Sequence, residues 1–388
     1  MNFKMELAVL KEKGLFRENQ TYVPIDGAYV FAAGKKCLML ASNNYLGMTH
    51  ESEVRQAAIK AIEAYGTGAG GARLTTGSHP LYEELEANLA QFKGTEAAIT
   101  FNTGYMANVG TISAIMNKND VIFSDALNHA SIIDGCRLSG AKRVIFPHSD
   151  MQVLKGLLES TKCAGKRLIV VDGVFSMDGD IAPLSQLVEL AKLYDCLLMV
   201  DDAHATGILG NGHGTAAHFG LTDQVDIQMG TLSKALGSEG AYVAGKKFLI
   251  DYLINKARSY IFSTALSPAD IGAANAAVKI LMQSIRLPEK VLANADFMRR
   301  ELKMQGIEVG GEITPILPIP IGAADLAVKV ANHLKEKGII LSAIRPPTVS
   351  VGESRLRLTV NAKHSQSDLK QAAVTIAETI KEIKGWKR

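Results

Sequence analysis

The sequence predicts an α/β protein: a mostly parallel sheet with helices on both faces, joined to a smaller α+β domain at the carboxy-terminal end. Three observations carry that reading. Between about residues 97 and 245, short apolar runs alternate with helical patterns, as strand–helix–strand units do. Some of those runs are apolar without a break, such as Leu197-Leu198-Met199-Val200, which suits a strand covered on both faces. After Leu287-Pro288 the pattern changes to long helices separated by isolated strands. The chain therefore divides into an amino-terminal arm (1–50), a large domain (51–287) and a small domain (288–388).

Taken in order, residues 6–17 read as an amphipathic helix ending at Arg17, followed by a polar, extended segment. Ser42-Asn43-Asn44-Tyr45-Leu46-Gly47 ends in a turn, a place where Asn is at home. Residues 54–65 are helical, with Val54, Ala57, Ala58, Ala61 and Ile62 on one face. Gly66-Thr67-Gly68-Ala69-Gly70-Gly71 then matches GxGxxG. A dinucleotide fingerprint must follow a strand and open a helix. This one follows a helix and runs into Ala72-Arg73-Leu74, so it is read as a flexible loop near a dimer interface. A nicotinamide enzyme is set aside on that ground.

A helix from Leu81 (Leu85, Leu89, Phe92) gives way to a strand at 97–101 and then to Asn102-Thr103-Gly104-Tyr105, which opens another helix. Glycine at such a turn exposes backbone N–H groups at the positive end of a helix, an anion site. The same residues read equally as a plain helix start. Further strands fall at 120–125, leading to Asn128-His129, and at 167–172, leading to Ser176. The small domain is expected to hold a helix at 291–304, a Pro-rich strand at 314–321 and a helix at 324–337. Strands at 339–344 and 355–360 and a last helix at 368–384 follow.

Composition narrows the function. Hydrophobic residues make up 47% and charged residues 21% of 388, the profile of a globular protein with a sizeable core. The net charge of +3, from 42 basic and 39 acidic residues, gives no reason to expect nucleic acid or an anionic membrane as partner. Cys37, Cys136, Cys163 and Cys196 form no CxxC pair, which suits a reducing, cytoplasmic setting. No apolar run approaches the ~18 residues of a membrane span, and residues 1–14 do not read as a signal peptide. His213, His218, His333 and His364 lack metal-ligand spacing.

The chemistry is carried by two strand ends. Lys234 lies in Gly230-Thr231-Leu232-Ser233-Lys234-Ala235-Leu236-Gly237, a turn of small residues after a short apolar run. An ordinary lysine titrates near ~10.4 and is a poor nucleophile at neutral pH. Turned into a cleft it loses water and becomes competent to form a Schiff base; on the surface it merely aids solubility. About thirty residues upstream, the Leu197–Val200 run ends in Asp201-Asp202-Ala203-His204. Open α/β sheets bind ligands at the carboxyl ends of their strands. Asp201 there can pair with a protonated pyridine nitrogen, and His204 can bond a ring hydroxyl; a strand-end Asp reads equally as a helix cap. An Asp-x-x-His strand end followed by Thr-x-Ser-Lys is far more specific than either alone. The lysine, the acid and the Thr231 hydroxyl are what pyridoxal phosphate needs.

On these residues the chain resembles the α-oxoamine synthases, a family of fold-type I pyridoxal-phosphate enzymes, from Ser42–Gly47 through to Arg355-Leu356-Arg357-Leu358. The resemblance implies a fold-type I transferase with the cofactor held as a Schiff base on Lys234, Asp201 at the ring nitrogen and His129 stacked on the ring face. It places His204 and Ser176 at the ring hydroxyl, and gives the phosphate to the amides of Gly104 and Tyr105 and the Thr231 hydroxyl. It also implies a homodimer in which Thr264 reaches the neighbouring subunit's phosphate, and substrate contacts at Arg17, Asn43, Thr348 and Arg357. A guanidinium fork at Arg357 suits a carboxylate; from the residues alone it reads equally as a solvent-facing strand arginine. Two positions depart from the family pattern: Tyr105 for phenylalanine and Asp172 for a glutamate of some relatives.

The form of the glycine loop favours the branch of the family that joins L-alanine to a pimeloyl thioester, on CoA or a carrier protein, on the way to biotin. Glycine with acetyl-CoA or succinyl-CoA, or serine with a long acyl-CoA, stay open as alternatives. From another class, so does a non-catalytic cofactor-binding subunit.

Overall fold

The computed structural model of the protein describes residues 2–12 and 15–384. It divides into two units: Leu46–Ser176 with Asp180–Glu289, and Met1–Tyr45 with Met177–Gly179 and Lys290–Arg388. Of the residues expected as an arm (1–50), Leu46–His50 fall in the large unit, and those before them are grouped with the carboxy-terminal ones.

The large unit is built on a seven-stranded sheet. Its order is Ala97–Phe101, Ala241–Gly245, Ile227–Thr231, Cys196–Asp201, Arg167–Asp172, Val121–Asp125, Lys142–Phe146. All neighbours pair in parallel except Ala241–Gly245, which runs antiparallel to the strands on both its sides. Successive side chains of a strand point to opposite faces. In Arg167–Asp172, Leu168 and Val170 enter one apolar cluster with Ile112 and Met199, while Ile169 and Val171 enter another with Leu187 and Leu198. Each such side chain contributes about 1.5–3 kcal/mol on burial. A charge could face neither side, which is why the interior of this strand is uninterrupted Leu, Ile and Val. The fold class expected from the sequence is the one observed.

Parallel pairing brings every strand except Ala241–Gly245 to finish on the same edge. Asp172 stands opposite Asp201, and Asp201 opposite Met229. The polar residues that end the strands are thereby gathered together. Gly104–Ile115 starts on this edge, its first turn closed by Thr103, whose hydroxyl accepts the Met106 N–H at 3.1 Å. Behind the edge lies a buried ion pair, Lys93 Nζ to Asp202 Oδ2 at 2.8 Å, with both side chains out of solvent.

The other unit carries two small sheets. Val23–Pro24, Tyr29–Ala32, Lys35–Met39 and Ile339–Ile340 make one. Ile316–Gly322, Ser354–Thr359 and Ser342–Ile344 make the second. Residues 339–344, expected as a single strand, are therefore two strands in different sheets, Ile339–Ile340 pairing in parallel with Lys35–Met39. The first helix is Phe3–Glu12 rather than 6–17; residues 13 and 14 of the expected helix lie outside the described ones. Among the described residues no helix is long and apolar enough to cross a membrane.

Candidate active site

The edge where the parallel strands finish opens into a cavity of about 150 Å³ in the large unit. Eight of the nine residues expected at the cofactor line it, namely Gly104, Tyr105, His129, Ser176, Asp201, His204, Thr231 and Lys234; Thr264 does not. Lys234 is half-buried in the turn that follows Ile227–Thr231.

Asp201 is 3% exposed and its carboxylate is held from two sides. Oδ1 accepts the Ala203 N–H at 2.9 Å, and Oδ2 accepts Asn108 Nδ2 at 2.7 Å. Asn108 comes from the helix Gly104–Ile115 and also donates to Ser131 Oγ at 2.9 Å. Ser131 in turn lies 2.7 Å from His129 Nδ1. The acid, the amide, the hydroxyl and the imidazole form one chain of hydrogen bonds, of the kind that fixes each member's orientation. Asn108 and Ser131 escaped the sequence reading because their roles depend on two successive helices, Gly104–Ile115 and Ala130–Leu138, meeting each other.

His129 is exposed and lines the cavity. Surrounding atoms still pull its imidazole below its ordinary value, the Asp201 carboxylate opposing and the Lys234 ammonium reinforcing this. A neutral, flat ring is suited to stacking on an aromatic group.

Asp172, noted in the sequence only as a departure from relatives, is a wall of the same cavity. It is 6% exposed, and Oδ2 accepts the His129 backbone N–H at 2.7 Å. Burial first, and the neighbouring Asp201 carboxylate second, push its acid well above the usual carboxylate range. The signal that could have found it is the one used for Asp201, an acid ending an apolar strand. A folded-state value above the unfolded one means that the folded chain binds the extra proton, so Asp172 costs stability as pH rises above ~4. Asp172→Asn should abolish that loss while keeping the His129 acceptor, and unfolding against denaturant from pH 4 to 8 should show a flatter profile than wild type. Asp172→Ala, which strands the His129 N–H, should cost about 1–3 kcal/mol at pH 4, and the deficit relative to wild type should narrow as pH rises.

At the other end of the cavity Thr231 Oγ1 lies 2.8 Å from Ser233 Oγ and donates to Gly240 O at 2.9 Å. A Cβ on Gly104 would stand 3.2 Å from Met229 Cε and 4.0 Å from Thr231 Oγ1. The bare backbone of Gly104 therefore leaves room between the first turn of Gly104–Ile115 and the Thr231 hydroxyl. Helix N-terminal amides, hydroxyls and a lysine are the donors a phosphate ester and an aldehyde call for. Together with an acid and a flat imidazole they fit pyridoxal phosphate. Tyr105 lines the cavity, but its hydroxyl donates to Asp134 on the exposed side. Its departure from phenylalanine thus adds a surface bond. Among the described residues no group of three or more His, Cys, Asp or Glu could hold a metal ion.

Thr264 is exposed, forms an isolated bridge with Ala72, and its carbonyl accepts Asn102 Nδ2 at 2.6 Å. The glycine loop is joined to this segment, since Gly71 O accepts the Ala265 N–H at 2.9 Å. The loop follows the helix Ser52–Tyr65 and opens no helix, as the sequence required.

The four expected substrate residues lie in the other unit. Arg357 is 5% exposed, and its guanidinium donates to Asn43 Oδ1 at 3.0 Å and to the Tyr45 hydroxyl at 3.2 Å. Arg17 and Thr348 line a larger cavity of about 710 Å³, with Arg345 and the apolar side chains of Phe16, Met177 and Ile344.

The chain belongs to the aminotransferase class I and II family, whose profile matches residues 35–376, and with it to the fold-type I pyridoxal-phosphate enzymes. Narrower relatives carry two names. A protein of Lysinibacillus sphaericus named 8-amino-7-oxononanoate synthase is 48% identical over 382 residues, covering 98% of each chain. Among solved structures, the 8-amino-7-oxononanoate synthase of Francisella tularensis superposes with a TM-score of 0.76 at 30% identity, over 89% of this chain and 98% of that one. A serine palmitoyltransferase variant of S. paucimobilis, solved with a PLP–myriocin aldimine, gives a TM-score of 0.93 at 30% identity, over 99% of this chain and 98% of that one.

Proposed function

We propose that the chain is a pyridoxal-phosphate-dependent acyltransferase of biotin biosynthesis, condensing L-alanine with a pimeloyl thioester to give 8-amino-7-oxononanoate, carbon dioxide and the free thiol carrier. The observation that carries this reading is the convergence of Lys234, Asp201, His129 and the Gly104 amide end on one cavity, in a chain 48% identical to synthases of that name. Asp201, His204 and Ser176 would hold the cofactor ring, His129 would cover its face, and Thr231 with the Gly104 and Tyr105 amides would hold its phosphate. Bound there, pyridoxal phosphate supplies an electron-withdrawing ring that stabilises negative charge at the amino acid's α-carbon.

The chain's own residues do the rest. The Lys234 ε-amine takes the α-proton and later returns one to the product carbon. Arg357, kept in place by Asn43 and Tyr45, offers its fork to the amino acid's carboxylate. Arg17 and Thr348 serve the acyl partner, whose methylene chain suits the apolar part of their cavity. The assembly is a homodimer in which Thr264 completes the partner's phosphate site. The four free cysteines support a reducing compartment, the cytoplasm.

The test is a panel of purified enzyme with L-alanine, glycine or L-serine against pimeloyl, acetyl, succinyl and palmitoyl thioesters. Alanine with the pimeloyl donor should exceed every other pair in kcat/KM by tenfold or more, a margin of about 1.4 kcal/mol. A preference for glycine with acetyl-CoA would replace this reading by the ligase one.

A further inference from the structure

His148 lies outside the cavity, two residues beyond the strand Lys142–Phe146. Its Nδ1 is 3.0 Å from Asp125 Oδ1 and its Nε2 is 2.8 Å from Asp180 Oδ2. The ring meets Phe175 edge-on, with centroids 4.3 Å apart. Both nitrogens can donate only when the imidazole is protonated.

Each carboxylate belongs to a segment that feeds the cavity. Asp125 ends Val121–Asp125 and shapes the turn beyond it, accepting the Leu127 N–H at 2.8 Å and the Ser149 N–H at 2.9 Å. Four residues on comes His129. Asp180 closes the loop that carries Ser176, its carbonyl accepting the Phe175 N–H at 3.0 Å. We propose that His148 is a positioning residue: bonded as a cation at both nitrogens, it ties the root of the His129 segment to the Ser176 loop and so fixes two side chains that meet the cofactor ring. This rests on the cofactor reading given above.

The hydrogen bonds it donates to Asp125 and Asp180 raise the imidazole to about 10, against partial burial that lowers it. These two carboxylates are the only charged groups bonded to the ring among the described residues. With the folded value raised, the clamp is fully formed below ~6.5, persists through neutral pH and is lost as pH rises through about 10.

The experiment titrates apo enzyme with pyridoxal phosphate, reading Kd by fluorescence quenching and ring orientation by visible circular dichroism. It compares wild type, His148→Gln, Asp180→Asn and the double variant. His148→Gln should raise Kd at least tenfold and change the dichroic band, and Asp180→Asn should raise Kd at least threefold with Asp125 still bonded. The double variant should be within twofold of His148→Gln, since both changes break one clamp. The difference in apo stability between wild type and His148→Gln should shrink above about pH 10. A Kd within twofold of wild type and an unchanged band, even with a lowered apo Tm, would reduce His148 to a structural role and overturn the proposal. Additive effects in the double variant would overturn it too. If His148→Gln does not fold, Asp180→Asn decides alone. Wild type that binds no pyridoxal phosphate would instead sink the cofactor reading.

Discussion

Lys234→Ala should bring turnover down by at least ~10³-fold, because in the proposed function one side chain both anchors the cofactor and moves the substrate's proton. Its site favours both tasks. The residue is half-buried, follows a fully buried strand, and stands between the core residue Leu232 on one side and Ala235 and Leu236 on the other. The backbone on either side therefore cannot drift, and the ε-amine is delivered to the cavity rather than to bulk water. Two measurements separate this from a general loss of structure. Borohydride should fix cofactor mass to the peptide containing Lys234 in wild type and to none in the variant. Thermal unfolding of the apo forms should differ little, since the lost atoms line a cavity and not the core. A variant with near-native turnover would refute the assignment whatever its spectrum.

The residues legible in the sequence were those with a local signal. Asp201 and Thr231 end apolar runs, Lys234 stands in a small-residue turn, and Gly104 opens a helix behind a strand; each can be seen within a dozen residues. Asn108 and Ser131 could not be read that way, and Asp172, though it too ends an apolar run, takes its meaning from its strand partner. Asp172 matters because the ladder sets it opposite Asp201, and a register is a property of two strands and not of either alone. Asn108 sits on a helix with almost no apolar asymmetry, so nothing in its surroundings distinguishes a buried donor from a filler.

The fold shows the same division. The large sheet was legible because strands covered on both faces are apolar throughout. The hairpin of Tyr29–Ala32 and Lys35–Met39 was missed because its residues do not alternate in polarity. Its one clear mark was the two-residue turn Ala33-Gly34, both at positive φ, a geometry that glycine adopts freely. The split of 339–344 into two sheets turns on pairing with the amino-terminal strands, which no local pattern announces.

Asp201→Asn is the second large effect, expected at on the order of 10²-fold or more in kcat, or roughly 3 kcal/mol. The charge is lost while the volume is kept. An asparagine at 201 can still accept the Ala203 N–H through its oxygen, but its amide then faces the amide of Asn108, donor against donor. Asn108 Oδ1 has no hydrogen-bond partner, so turning that side chain over would restore the contact. The turned amide would, however, offer an acceptor where Ser131 Oγ now receives a donor; the hydroxyl can reverse its role to match. The fold should consequently tolerate the change, and apo Tm should move by only a few degrees. What the variant lacks is a negative charge at the strand end to keep a proton on the ring nitrogen, and without that proton the α-carbon's charge is poorly dispersed. Exchange of the α-proton of L-alanine, followed by NMR in deuterated water without thioester, isolates that step. It should slow in parallel with kcat, whereas a fall of less than threefold in both would count against Asp201 as the partner of the ring nitrogen.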